Sequence, residues 1–144
     1  MSYPTIDVKP LSPVIGAEIS GVDLSQPLGN QTFQEIHDAL MEHLVVFFRD
    51  QELTLDQHKA FGRHFGELHV HPAAPGPEGH PEVINVHADA DSKWVVGETW
   101  HSDVTCDDEP PMGSILQIHK VPDAGGDTMF ANMYRAYEAL SETV

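Results

Sequence analysis

This chain has little cysteine, little positive charge and no long apolar run. Cys106 is its only cysteine, so no disulfide can form within it, which suits a reducing cytoplasm. Seven basic residues stand against 23 acidic ones, for a formal net charge of −16. A surface of that sign argues against nucleic acid and anionic membrane as partners, since both demand basic surface. It leaves room for a small anionic substrate in a locally positive pocket. No apolar stretch approaches the ~20 residues of a membrane span. The first residues, Met1-Ser2-Tyr3-Pro4, lack the basic region and apolar core of a secretory leader. No internal repeat or low-complexity tract is present. At 144 residues the chain suits one domain with a real core.

The pattern along the chain mixes short strand signals with helices. Leu11 to Leu28 is rich in Gly, Pro, Ser and Asp and reads as short strands joined by turns. Thr32 and Glu35 have capping-box spacing, and Phe33, Ile36, Leu40 and Leu44 follow at helical intervals. Val45-Val46-Phe47-Phe48 is β-branched and aromatic and predicts a buried strand ending at Arg49-Asp50. Thr54 and Gln57 form a second capping box, ahead of a helix with Leu55, His58, Phe61 and Phe65 inward and Gly66 at its end. Pro72 to Pro81, with four prolines and two glycines, predicts a mobile loop. Further strands are expected at 83–86, 114–119 and 128–131, with a turn at 123–126. Asn132 is placed to cap a last helix carrying Tyr134, Tyr137 and Leu140. The expectation is a mainly β fold with flanking helices, in the manner of a jelly roll whose closing strands are not evident.

Trp100-His101-Ser102-Asp103 carries the chemistry. Residues two apart on an extended strand point to the same side. His101 and Asp103 could then place an imidazole nitrogen and a carboxylate oxygen on one metal ion, two-thirds of a 2-His-1-carboxylate triad. A plain surface His–Asp hydrogen bond has the same spacing.

The surrounding text resembles the taurine dioxygenase family of Fe(II)- and 2-oxoglutarate-dependent oxygenases. The matching stretches include Ile15-Gly16-Ala17, Ile19-Ser20-Gly21, Arg49-Asp50-Gln51, Phe65-Gly66-Glu67-Leu68-His69-Val70-His71-Pro72, Trp100-His101-Ser102-Asp103-Val104-Thr105, Pro110-Pro111, Gly125-Gly126-Asp127-Thr128 and Ala136-Tyr137-Glu138-Ala139-Leu140-Ser141. They run in order over nearly the whole chain but cover about the N-terminal half of such an enzyme.

The resemblance implies a double-stranded β-helix, one domain begun by residues 1–144, and Fe(II), 2-oxoglutarate and O2 as the reacting set. It implies His101 and Asp103 as iron ligands and Thr128 as a hydroxyl partner for 2-oxoglutarate. The same Gly125–Thr128 segment also reads as a tight turn entering a strand. His71 is implied as a contact to the substrate's anionic group, though His69-Val70-His71 would equally suit a separate metal site or one core and one surface histidine. Val104 is implied as pocket lining, with a core valine the plain alternative.

Two family residues that contact taurine are replaced, by Ala74 and Gly97. Their loss widens the pocket and opens the choice of substrate to alkyl sulfates, phenoxyacetates and other small acids. The family's second iron histidine and its 2-oxoglutarate arginine are expected in the half not matched here. After Asp127 the only basic residue is Arg135, and there is no histidine. The chain alone is therefore expected to be inactive, with a non-catalytic half-domain as the rival reading. A homo-oligomer and a cytoplasmic location complete the expectations.

Overall fold

The computed structural model describes residues 2–143 apart from 73, 75, 90 and 94. The chain divides into two units, residues 1–52 with 119–144 and residues 53–118.

In the first unit, β1 (Asp7–Pro10) and β2 (Ala17–Ser20) pair antiparallel, with Asp7 opposite Ser20 and Pro10 opposite Ala17. Helix α1 (Asn30–His43) then crosses over, and β3 (Val46–Phe48) pairs parallel to β2, with Ala17 opposite Val46. A parallel neighbour needs such a crossover, because a hairpin reverses direction. The order β1-β2-β3 puts β2 in the centre. Its Ala17 and Ile19 are buried, and with Ile6, Leu24, Ile36 and Ala39 they make the core.

Glu35 is not used as the spacing suggested. The helix starts two residues before Thr32, behind Gly29, with no side-chain cap. Glu35 instead accepts hydrogen bonds at 2.9 Å from both the Thr5 N–H and the Thr5 hydroxyl, and at 3.1 Å from Gln31 Nε2. Burial pushes its carboxyl up, but these bonds outweigh it and hold the group below the ordinary 4.5. A long-range demand thus displaced the local cap and pinned the N-terminal segment to α1. Leu44 ends the helix in a left-handed conformation, φ 67, donating its N–H to the Leu40 carbonyl at 2.7 Å.

The remainder of this unit is thinly structured. Gly125 and Gly126 take φ of 79 and 72 at the expected turn. The strand expected at 128–131 does not form among the described residues. Helix α3 (Met133–Glu138) has the predicted Asn132 cap, which accepts the Arg135 N–H at 3.0 Å. Asn132 Nδ2 donates to the Val14 carbonyl at 2.6 Å, and Phe130 meets Phe47 edge to face. None of the α3 residues is buried.

The second unit begins with α2 (Leu55–Arg63). Both halves of its capping box are present: Thr54 Oγ1 accepts the Gln57 N–H, and Gln57 Oε1 accepts the Thr54 N–H at 2.9 Å. The helix stops before Phe65, which still packs edge to face on Phe61, and Gly66 with φ 142 lies beyond its end. Gly62 lies on the inner face, where a Cβ would stand 2.9 Å from the end of the Leu68 side chain and make it shift. Lys59, nearly buried, and Arg63 reach Glu82 at 3.7 and 3.8 Å and hold the end of the Pro/Gly segment beside α2. Of that segment, Ala73 and Pro75 lie outside the described residues.

The strands expected at 83–86 and 114–119 have no ladder among the described residues. A β-rich sequence becomes a strand only with a partner for its backbone groups. The described architecture is therefore a small mixed sheet with three helices, β in smaller measure than the composition suggested.

Candidate functional site

His101 and Asp103 come together, though not by way of a strand. Residues 101 and 102 are irregular, and a turn begins at Asp103. His101 Nε2 lies 3.1 Å from Asp103 Oδ1, with both side chains about half exposed (53% and 52%). His101 Nδ1 lies 2.7 Å from the Thr99 carbonyl, to which its N–H donates. Ser114 donates its hydroxyl to the other oxygen, Asp103 Oδ2, at 2.6 Å, a short bond of the kind a charged acceptor makes.

With Nδ1–H committed to Thr99, a neutral ring presents its Nε2 lone pair toward the carboxylate. A second proton relieves that opposition. The imidazole is accordingly held above its usual range, chiefly by the Thr99 carbonyl, with burial opposing and the neighbouring Asp103 carboxylate adding to the rise. A cation between Nε2 and Oδ1 would relieve it equally. Two cis ligands each about 2.1 Å from a six-coordinate ion stand about 3.0 Å apart, and the observed pair fits that edge. Among the described residues no third His, Cys, Asp or Glu completes a metal-holding group.

Val104 follows with φ 50. A β-branched residue in the left-handed region is a genuine outlier, and such strain gathers at functional sites. The turn closes with the Asp107 N–H donating to the Val104 carbonyl at 3.2 Å. Gly97, with φ 84, lies against the same histidine: a Cβ there would stand 3.4 Å from His101 Cε1. That distance is near ordinary contact, so it is the left-handed backbone more than crowding that favours glycine here.

His71 borders an open recess of about 630 Å³, shared with Val70, Pro72, Gly76, Pro77 and Pro81. Its ring meets that of His69 edge to face, 6.2 Å between centroids. His69 Nε2 pairs with Asp107 Oδ2 at 3.1 Å. Thr128 is exposed and belongs to the other unit.

Ser114, Thr99 and Asp107 had no sequence signal. Each acts on a histidine or carboxylate through a single contact, and Ser114 and Asp107 do so across 11 and 38 residues. Only the pairing of polar types could have suggested them.

Comparison with known proteins extends the likeness beyond these residues. Over 138 residues the chain is 41% identical to an alkylsulfatase of Acinetobacter baylyi, covering 95% of this chain and 43% of that one. It is 38% identical over the same length to an alpha-ketoglutarate-dependent sulfate ester dioxygenase of Pseudomonas putida, covering 45% of it. A crystal structure of a taurine dioxygenase from Burkholderia xenovorans superposes with a TM-score of 0.80 at 44% identity, over 97% of this chain and 49% of that one. The chain thus spans about half the length of the relatives it matches. The model of the taurine catabolism dioxygenase TauD, TfdA family matches residues 7–144, and the chain belongs to that family.

Proposed function

We propose that this chain forms the N-terminal part of a single Fe(II)- and 2-oxoglutarate-dependent dioxygenase domain, a double-stranded β-helix acting on a small anionic organic substrate. The observation that carries the reading is the His101–Asp103 pair, 3.1 Å apart and of the right donor types for iron. Thr99 fixes the His101 tautomer and Ser114 orients Asp103, the usual service of groups behind a metal ligand. When bound, Fe(II) would supply the redox chemistry by which O2 oxidises both 2-oxoglutarate, to succinate and CO2, and a substrate C–H bond, to the alcohol.

The chain's own residues set the stage for that chemistry. The Thr128 hydroxyl binds a 2-oxoglutarate carboxylate, as an O–H donor can. His71, at the edge of its recess, contacts the anionic group of the substrate, and Val104 lines the pocket. The third iron ligand and the arginine for the far carboxylate belong to the other half of the domain. The sulfate-ester names of two relatives and the small residues Ala74 and Gly97 favour an alkyl sulfate or a sulfonate bulkier than taurine. Exposed apolar side chains in each unit, among them Trp100 and Leu116 in one and Met129 and Tyr137 in the other, leave surface for the other half of the domain or for a second copy of the chain to cover. Free Cys106 supports the cytoplasm. Among the described residues no helix is long and apolar enough to cross a membrane.

The test is anaerobic Fe(II) titration, followed by 2-oxoglutarate turnover with a panel of alkyl sulfates and sulfonates, using the chain alone and joined to a C-terminal half. His101→Ala and Asp103→Ala should each abolish iron binding and substrate-dependent succinate release. Near-normal turnover in either variant defeats the assignment.

A further inference from the structure

We propose that His69 and Asp107 are a positioning pair that fixes His71 relative to the His101–Asp103 pair, and thereby sets how the substrate's anionic group is presented for reaction. The inference rests on the dioxygenase reading above and adds residues to which that reading gives no role.

Asp107 closes the turn that starts at Asp103: its N–H returns to the Val104 carbonyl. Its carboxylate leaves the turn and takes His69 Nε2 at 3.1 Å, with both side chains partly buried (29% and 39% exposed). His69 in turn lays its ring edge to face against His71, at an interplanar angle of 84°. One continuous set of contacts therefore runs from the turn bearing Asp103 to the edge of the recess bearing His71. Carboxylate–imidazole pairing fixes a ring's tautomer and plane. A ring so fixed leaves its edge-to-face neighbour few alternatives. All of these residues lie within one unit of the chain, so the linkage is local.

Such a strut matters because the reaction divides between two segments. One holds the metal, the other holds the substrate. A misplacement near 1 Å can cost about a hundredfold in rate. Losing the strut should disturb substrate placement and leave 2-oxoglutarate alone, since the reading above gives neither His69 nor Asp107 a part in holding 2-oxoglutarate.

Asp107→Ala, Asp107→Asn, His69→Ala and the double alanine variant test this in the turnover assay. Asp107→Ala should raise the alkyl-sulfate KM roughly tenfold, a fraction of the loss expected for direct misplacement, and should lower the product formed per succinate. The 2-oxoglutarate KM should stay within about twofold. Asp107→Asn keeps an oxygen acceptor and should restore most of the coupling. His69→Ala should match Asp107→Ala, and the double variant should add little to either. A parallel rise in both KM values, an Asn variant as poor as the Ala variant, or additive effects would each overturn the proposal.

If the unaltered protein neither binds nor turns over any alkyl sulfate or sulfonate, the functional reading has failed, and histidine-ring ¹⁵N spectra of the 144-residue chain decide the pair on its own. Asp107→Ala should then shift the His69 and His71 ring signals while those of His58 and His101 stay in place. An unmoved His71 signal overturns the linkage.

Discussion

Residues 6–39 and residues 100–137 treat their apolar side chains in opposite ways. In the first stretch Ile36, Ala39 and Ala17 are wholly buried, and strands and helix close around them. In the second, Trp100, Leu116 and Tyr137 are 67%, 64% and 77% exposed, and no strand ladder forms among the described residues. The residues with chemical character fall in the second stretch and in the loop before it. Stability and chemistry are thus carried by different parts of the chain. The site geometry hangs on a few polar contacts, such as Ser114 to Asp103, rather than on close packing.

The comparison breaks most visibly in the core. Ile36→Ala should cost about 2–5 kcal/mol in urea unfolding, the range for truncating a buried aliphatic side chain. Leu116→Ala, made in an exposed loop, should stay within about 0.5 kcal/mol. Equal costs would mean that Leu116 is covered in solution and that the contrast is false.

Acid should come next. Glu35 has its carboxyl held below 4.5 by Thr5 and Gln31, against the effect of burial. A depressed folded value means the stabilisation is complete above the unfolded pKa and lost as pH falls through the folded one. Glu35→Gln should therefore be less stable than the unaltered protein at neutral pH, and the gap should close as pH falls below 4.5. A gap that persists unchanged in strong acid would show that Glu35 acts through shape and not charge. A smaller effect than in the core is expected at the start of α2. Thr54→Ala removes one side of its capping box and should cost about 1 kcal/mol, read as a drop in thermal midpoint.

What the sequence made legible follows the range of each interaction. The Thr54–Gln57 box and the Asn132 cap are contacts within four residues, and both stand where their residue types predict. The Thr32–Glu35 box has the same spacing and fails, because Thr5 competes for Glu35 from 30 residues away. β1 was not foreseen: four residues ending in Lys9-Pro10, three of them exposed, carry no alternation to read. The strands expected at 83–86, 114–119 and 128–131 have the composition without the partner. His101 and Asp103 meet as their spacing suggested, but through a turn and a strained Val104 that no periodicity announces. Asp107 and Ser114 could not be chosen in advance among the chain's many acids and hydroxyls.

The crossover sheet has one more consequence, in time. All three of its strands and the helix between them are made from the first 48 residues of the chain. A ribosome adds about 5–20 residues per second, so the residues that follow them take seconds to make. For that interval the β2-α1-β3 unit has only its own sequence to fold with, although its parallel pairing of Ala17 with Val46 closes more slowly than a hairpin would. The segments that carry the site emerge afterwards.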